Sequence, residues 1–144
     1  MCRLLGIISA KEISPYYYLF DSKYSLFKQA EFENQNDGWG ICCYKNGKIS
    51  FLTKSINYIV NDVDMVKALA KNLFSHILLL FVRKASNPRN INKDLLLTID
   101  ATQPFTYNNI SFIHNGSINI PDQILENLYY EMKPRSLNDS EVYF

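Results

Sequence analysis

Cys2 directly follows Met1, so loss of Met1 would place a thiol and a free α-amine on one residue. An α-amine with a pKa near ~8 can hold or relay the thiol's proton at neutral pH, and such a residue needs no separate catalytic histidine. The competing reading is an ordinary strand with an incidental cysteine. The other two cysteines, Cys42 and Cys43, are adjacent and read as strand residues that point to opposite faces. An odd cysteine number argues against a disulfide framework, and no spacing resembles a zinc site, so neither a metal nor a cofactor is expected. His76 sits in an apolar run and reads as a packed, satisfied core histidine. His114 reads as a structural hydrogen-bonding residue rather than a general base.

The elements that must position Cys2 follow from patterning. The run Leu4 to Ile8, broken only by Gly6, predicts a buried strand over about Arg3 to Ser9. Pro15 suits the first turn of a helix carrying Tyr16 to Phe27, with Tyr17, Phe20 and Tyr24 on one face. After a polar stretch over Gln29 to Asn36 comes Asp37-Gly38-Trp39-Gly40. Two apolar runs flanking Asn46-Gly47 predict a β-hairpin, Ile41 to Lys45 and Lys48 to Thr53. Asn61 or Asp62 would cap a helix to about Leu73, because Val63, Val66, Leu69 and Ala70 recur at helical spacing. Ser75 to Val82 reads as a strand ending at Arg83. Lys84 to Thr102 reads as a long surface loop with one short element at Leu95 to Leu97. A strand over Ile110 to Ile113, a helix from Pro121 to about Lys133 and a helix start at Asn138 complete the chain. This order predicts an α+β domain with helices packed on antiparallel sheets.

The 144 residues are enough for one domain with a real core, and the 47% hydrophobic content fits a globular chain. A formal charge of +1 leaves no electrostatic footprint for nucleic acid or a membrane surface. The longest apolar run, Ile77 to Val82, is too short to span a bilayer, and no signal-peptide core is present, so a cytoplasmic location is expected.

Six motifs together make the chain resemble a class II glutamine amidotransferase of the N-terminal-nucleophile hydrolase superfamily, of the small stand-alone type. They are Met1-Cys2-Arg3-Leu4-Leu5-Gly6, Asp37-Gly38-Trp39-Gly40-Ile41, Val82-Arg83, Gln103-Pro104-Phe105, Phe112-Ile113-His114-Asn115-Gly116 and Asp139-Ser140-Glu141. The resemblance implies a four-layer α-β-β-α sandwich whose domain continues past the last motif. Residues 1–144 are then expected to be the N-terminal part of a type-2 glutamine amidotransferase domain, with later strands missing. It implies Cys2 as nucleophile, with the Asn115 side chain and the Gly116 backbone N–H as oxyanion donors. It also implies Arg83 and Asp139 as clamps for the α-carboxylate and α-ammonium of glutamine or a γ-glutamyl substrate. Asp37, Gly38, Trp39 and His114 would support these groups. Trp39 could equally be a core anchor, Arg83 in isolation a solvated strand end, and Asp139 in isolation a helix cap.

This chain departs from its relatives at Gln35, Phe81 and Ala101-Thr102-Gln103, where they commonly carry histidine or Asn-x-His. Supporting polar contacts are therefore expected to differ. The leading reading is hydrolysis of a glutamine side-chain amide through a Cys2 thioester, with room for a separate synthase or acceptor subunit. The alternatives are a truncated, inactive relative that binds or assembles, and an N-terminal-cysteine amidohydrolase of bile-acid conjugates or penicillins. The paired charges of Arg83 and Asp139 argue against the last, whose substrates lack them.

Overall fold

The computed structural model describes residues 1–87 and 90–144, so Pro88 and Arg89 of the long loop lie outside the described residues. Four strands form one antiparallel sheet in the order β1-β4-β2-β3, with β1 at Arg3–Ile13, β2 at Trp39–Lys45, β3 at Lys48–Ser55 and β4 at Ser75–Val82. The β2–β3 connection is the expected hairpin. Asn46 and Gly47 take φ of 52° and 72°, the left-handed pair that matches the strand twist.

Side-chain alternation gives the sheet two faces with different tasks. Trp39, Ile41 and Cys43 of β2 and Leu78, Leu80 and Val82 of β4 point into the core cluster. There they meet Leu26 and Ala30 of α1 (Leu26–Phe32) and Val66 and Ala70 of α2 (Val63–Asn72). Leu5 and Ile7 of β1 pack against the same cluster. The opposite face of β2 carries Gly40, Cys42 and Tyr44. It receives a second, two-stranded sheet of β5 (Phe105–Tyr107) and β6 (Ile110–Phe112). A Cβ on Gly40 would lie 2.1 Å from the Gln103 carbonyl oxygen, so only glycine lets the chain entering β5 cross here. The Tyr44 and Ser111 hydroxyls meet at 2.5 Å across the same gap. Beyond it pack α4 (Pro121–Asn127) and α5 (Asp139–Tyr143), with Phe112 stacked on Phe144 at 5.5 Å between centroids. The layers run helices, sheet, sheet, helices, an α+β fold of the N-terminal-nucleophile kind.

Several sequence expectations are corrected. The first strand is a half-exposed edge strand rather than a buried one, with Leu4 and Ile8 exposed, and it continues past Ser9 to Ile13. The aromatic segment is not one helix: a π-helical turn covers Tyr17–Asp21, and α1 begins only at Leu26. The hydroxyls of Ser22 and Ser25 accept from the backbone N–H groups of Tyr24 and Lys28, which gives the backbone an alternative to continuing the first helix. Phe20 therefore packs on the core while Tyr17 and Tyr24 are exposed. α4 stops at Asn127, whose side chain bonds back to the Gln123 carbonyl, and a separate 3-10 turn follows at Tyr130–Met132. The long loop contains α3 (Lys93–Leu96), capped by Asn92, and its end is not surface, since Ala101 and Thr102 are fully buried. His76 is exposed rather than packed, with Nδ1 3.1 Å from the Ser9 carbonyl oxygen.

Candidate active site

One cleft gathers residues from four distant stretches: Cys2 before β1, Arg83 after β4, His114 and Gly116 after β6, and Asp139 at the start of α5. Strand pairing does most of this. β1 pairs with β4 with Arg3 opposite Val82, so the residues just outside the ladder, Cys2 and Arg83-Lys84, face each other at the same sheet edge. The Lys84 backbone N–H donates to Cys2 Sγ at 3.3 Å, and the thiol is also 3.3 Å from the Lys84 carbonyl oxygen. Burial pushes the Cys2 thiol up. The Lys84 N–H and the Arg83 charge pull it back, and the Asp37 charge adds a smaller upward push.

Asp37 and Gly38 prolong β2 beside Arg83. The Asp37 N–H donates to the Arg83 carbonyl at 3.1 Å and the Arg83 N–H to the Gly38 carbonyl at 2.8 Å. The Asp37 carboxylate accepts from the Ala85 N–H at 2.8 Å, which steers the chain leaving β4 around the thiol. Trp39 turns the other way. It is 1% exposed in the core and donates through Nε1 to Asp62 Oδ2 at 2.8 Å, so it anchors α2 rather than touching the cleft.

Arg83 is 3% exposed, which overturns its isolated reading as a solvated strand end. Its side chain has one hydrogen bond among the described residues, Nη1 to Thr102 Oγ1 at 3.4 Å. Burial pushes this guanidinium's pKa down, opposed by the charges of Cys2, Asp37 and Asp139. None of the three acidic groups closes an ion pair with it, whereas Arg3 does pair with Glu33. A desolvated guanidinium with four unengaged N–H directions has capacity left for an anion.

Asp139 is the first residue of α5, but the cap is Asn138, whose side chain accepts from the Ser140 N–H at 2.9 Å. The Asp139 carboxylate instead accepts from the Ile118 N–H at 2.6 Å and ties down the segment after Gly116. His114 bonds through Nδ1 to Ser140 Oγ at 2.9 Å and stacks on Phe112. Gly116 lies over that ring: a Cβ there would sit 2.8 Å from His114 Nε2. Asn115, between these two cleft residues, is exposed and does not line the cleft.

Four supporting residues were missed as such in the sequence. Lys84 contacts the thiol through its backbone, which no side-chain motif reveals. Thr102 holds Arg83, Gln103 brackets the His114 backbone, and Gln35 is buried beside Met1. The signal available for Gln35 and Gln103 was their departure from the resembling motifs. Among the described residues, no group of three or more His, Cys, Asp or Glu is placed to hold a metal, and no helix is long and apolar enough to cross a membrane.

A thiol under a backbone N–H, a buried cation with spare donors and a carboxylate thus line one cleft. The family described as "Glutamine amidotransferases class-II" matches residues 1–144. The chain belongs to this family, whose chemistry is hydrolysis or transfer of the glutamine amide. No curated protein matches it.

Proposed function

We propose that this chain hydrolyses the side-chain amide of glutamine, or of a γ-glutamyl amide, with Cys2 as an N-terminal nucleophile once Met1 has been removed. The Cys2 sulfur attacks the amide carbon while the α-amine takes the thiol proton. The negative oxygen is held by the Gly116 N–H and by the Asn115 side-chain amide, which must turn into the cleft from the exposed position it takes in the structure; both are neutral donors that act mainly in the transition state. Collapse breaks the C–N bond, the leaving nitrogen takes the proton from the α-amine, and ammonia or an amine departs. Water then adds to the γ-glutamyl thioester, releasing glutamate and the thiol. Three free cysteines suit a reducing, cytoplasmic setting for this chemistry.

The observation that carries the proposal is Arg83. A buried guanidinium in the same cleft as a thiol, bonded among the described residues to one hydroxyl, suits the planar α-carboxylate of the substrate. Asp139, which lines the same cleft, suits the α-ammonium. The direct test is glutamate release by protein that begins at Cys2, compared with Cys2→Ala. Turnover should vanish in the variant while glutamine binding by calorimetry persists, because the nucleophile adds little ground-state affinity. Binding without turnover in the native protein would instead identify a binding subunit.

A further inference from the structure

Gln35 is fully buried, at 0% exposure, just past the C-terminal end of α1. Its backbone N–H is fixed on the Ala30 carbonyl at 2.8 Å. Its Nε2 donates to the Met1 carbonyl oxygen at 2.7 Å and to Glu33 Oε2 at 3.2 Å. Its Oε1 is the one buried side-chain polar atom among the described residues with no hydrogen-bond partner. Interiors rarely leave a carboxamide oxygen unpaired, because it has given up water for nothing. The unpaired acceptor belongs to the side chain that grips the residue whose loss would create an amine.

We infer that Gln35 is the positioning residue for the α-amine of Cys2. It donates to the Met1 carbonyl while Met1 is attached, and turns its amide over once Met1 has gone, so that Oε1 accepts an N–H of the new amine. The inference rests on the reading of Cys2 as an N-terminal nucleophile. The Met1 carbonyl carbon is bonded to the Cys2 nitrogen, so the oxygen that Gln35 grips is two bonds from that nitrogen. A half-turn about the last torsion exchanges oxygen and nitrogen with no change of volume. An acceptor there engages one amine hydrogen and leaves the lone pair free to face the thiol. The unturned Nε2 would donate into that lone pair and compete with the thiol. The half-turn would set Oε1 where Nε2 stood, 3.2 Å from Glu33 Oε2, so the Glu33 carboxylate must rotate that oxygen away while its other oxygen keeps the ion pair with Arg3.

The neutrality of the amide also matters. Glu33 and Arg3 already pair on one side, Lys84 Nζ is held by the Asn34 carbonyl and Asn36 Oδ1, and Arg83 and Asp37 lie beyond the thiol. A neutral acceptor orients the amine without adding a charge to this set. A carboxylate in its place would hold the amine as ammonium, unable to take the thiol proton.

The test uses full-length protein in two forms verified by intact mass, one beginning at Cys2 and one retaining Met1. Cys2 alkylation by iodoacetamide is followed against pH in native, Gln35→Leu and Gln35→Glu proteins, and glutamine turnover is followed in the form beginning at Cys2. In that form Gln35→Leu should lower kcat at least tenfold with KM within twofold, and should change the pH profile of alkylation. With Met1 retained, the same substitution should leave that profile unchanged, since no amine is there to orient. Gln35→Glu, nearly isosteric and able to fold where the leucine variant fails, should move the amine-linked step upward by about one pH unit, a tenfold change in proton affinity. Superimposable profiles in the Met1-free form, or equal changes in both forms, would overturn the inference and mark Gln35 as purely structural. If native protein beginning at Cys2 does not turn over glutamine, the proposed function fails, yet the alkylation profiles still decide the role of Gln35.

Discussion

The side-chain amide of Gln103 brackets the backbone of His114, accepting from its N–H at 2.5 Å and donating to its carbonyl at 3.1 Å. The pairing works as a short sheet contact made by one side chain. It fixes where the turn His114-Asn115-Gly116 begins, and the Ser140 hydroxyl fixes the imidazole of the same residue. The cleft wall opposite Cys2 is therefore set by side chains rather than by a strand ladder, since β6 ends at Phe112.

Replacing Gln103 by leucine should unpair both backbone groups at once. Loss of two partly buried hydrogen bonds is expected to cost about 2 kcal/mol of stability. Glutamine turnover should fall through kcat more than KM, because the displaced turn carries the proposed oxyanion donors. Gln103→Glu keeps the acceptor and loses the donor, so its urea midpoint should lie between the two. A Gln103→Leu protein with native stability and native kcat would show that the bracket holds nothing that matters.

Gly116→Ala tests the same wall from the other side. The added methyl would meet a ring that is stacked on Phe112 and bonded to Ser140, so the ring cannot swing away without breaking those contacts. The backbone of Gly116 must move instead, and misplacing an oxyanion donor is expected to lower kcat by about a hundredfold. Combining Gly116→Ala with Ser140→Ala frees the ring and should recover part of the loss. Strictly additive losses in that cycle would mean the methyl acts through something other than His114.

How much of this was legible depends on the range of the interaction. Asn46-Gly47 announces its hairpin because two adjacent residues contain the whole turn. α2 is legible from Val66 and Ala70, and the strand Ser75 to Val82 from its apolar run. The aromatic segment misled because Tyr17, Phe20 and Tyr24 have helical spacing, while Ser22 and Ser25 break the helix through hydroxyl contacts that periodicity does not weigh. The burial of Arg83 was not legible locally, since it depends on Thr102 and on β5 crossing Gly40. The cleft residues were named from motifs, but their support by Gln35 and Gln103 needs contacts across 34 and 11 residues of sequence.

Acid should act on this fold partly through Asp62. Burial pushes its carboxyl up, but hydrogen bonds from Trp39, Asn57 and Ser55 outweigh that, and the net direction is down. A depressed carboxylate contributes stability that is present above its unfolded pKa of about 4 and is lost as pH falls through the lower folded value. Native protein should therefore be more stable than Asp62→Asn at neutral pH, with the gap closing below about pH 4. Urea midpoints of the two proteins across that range check the sign. A gap that widens in acid would show that the hydrogen bonds do not favour the charged form.

The three thiols should label in a fixed order. Cys42 and Cys43 are buried in β2, and burial pushes Cys43 up to about 12, so neither offers thiolate or access in the native state. Cys2 is partly exposed, and the Lys84 N–H and Arg83 charge oppose its desolvation. Peptide mapping after brief iodoacetamide treatment should find Cys2 modified first by at least tenfold. Arg83→Met removes a charge that lowers the thiol's pKa and should slow labelling at fixed pH. Prior labelling of Cys42 or Cys43 in native protein would contradict this account of the cleft.

The charge clamp is the claim that most separates a glutamine site from a general amide hydrolase. If Arg83 takes the α-carboxylate and Asp139 the α-ammonium, Arg83→Met should cost about 2–4 kcal/mol in kcat/KM, because it strands the carboxylate in a partly desolvated cleft. Asp139→Asn should do comparable harm, and it also weakens the charge-assisted contact with the Ile118 N–H. Substrate chemistry provides the sharper measurement. Converting the α-carboxylate of glutamine to a neutral carboxamide should impair the native enzyme severely and the Arg83→Met variant hardly at all, a coupling that two independent losses cannot produce. Asparagine adds a check on reach: a substrate fixed at its α-carboxylate holds a side-chain amide one methylene short of Cys2, so its turnover should be lower by orders of magnitude. Additive losses, or equal turnover of glutamine and a simple alkyl amide, would show that the buried guanidinium does not read the carboxylate.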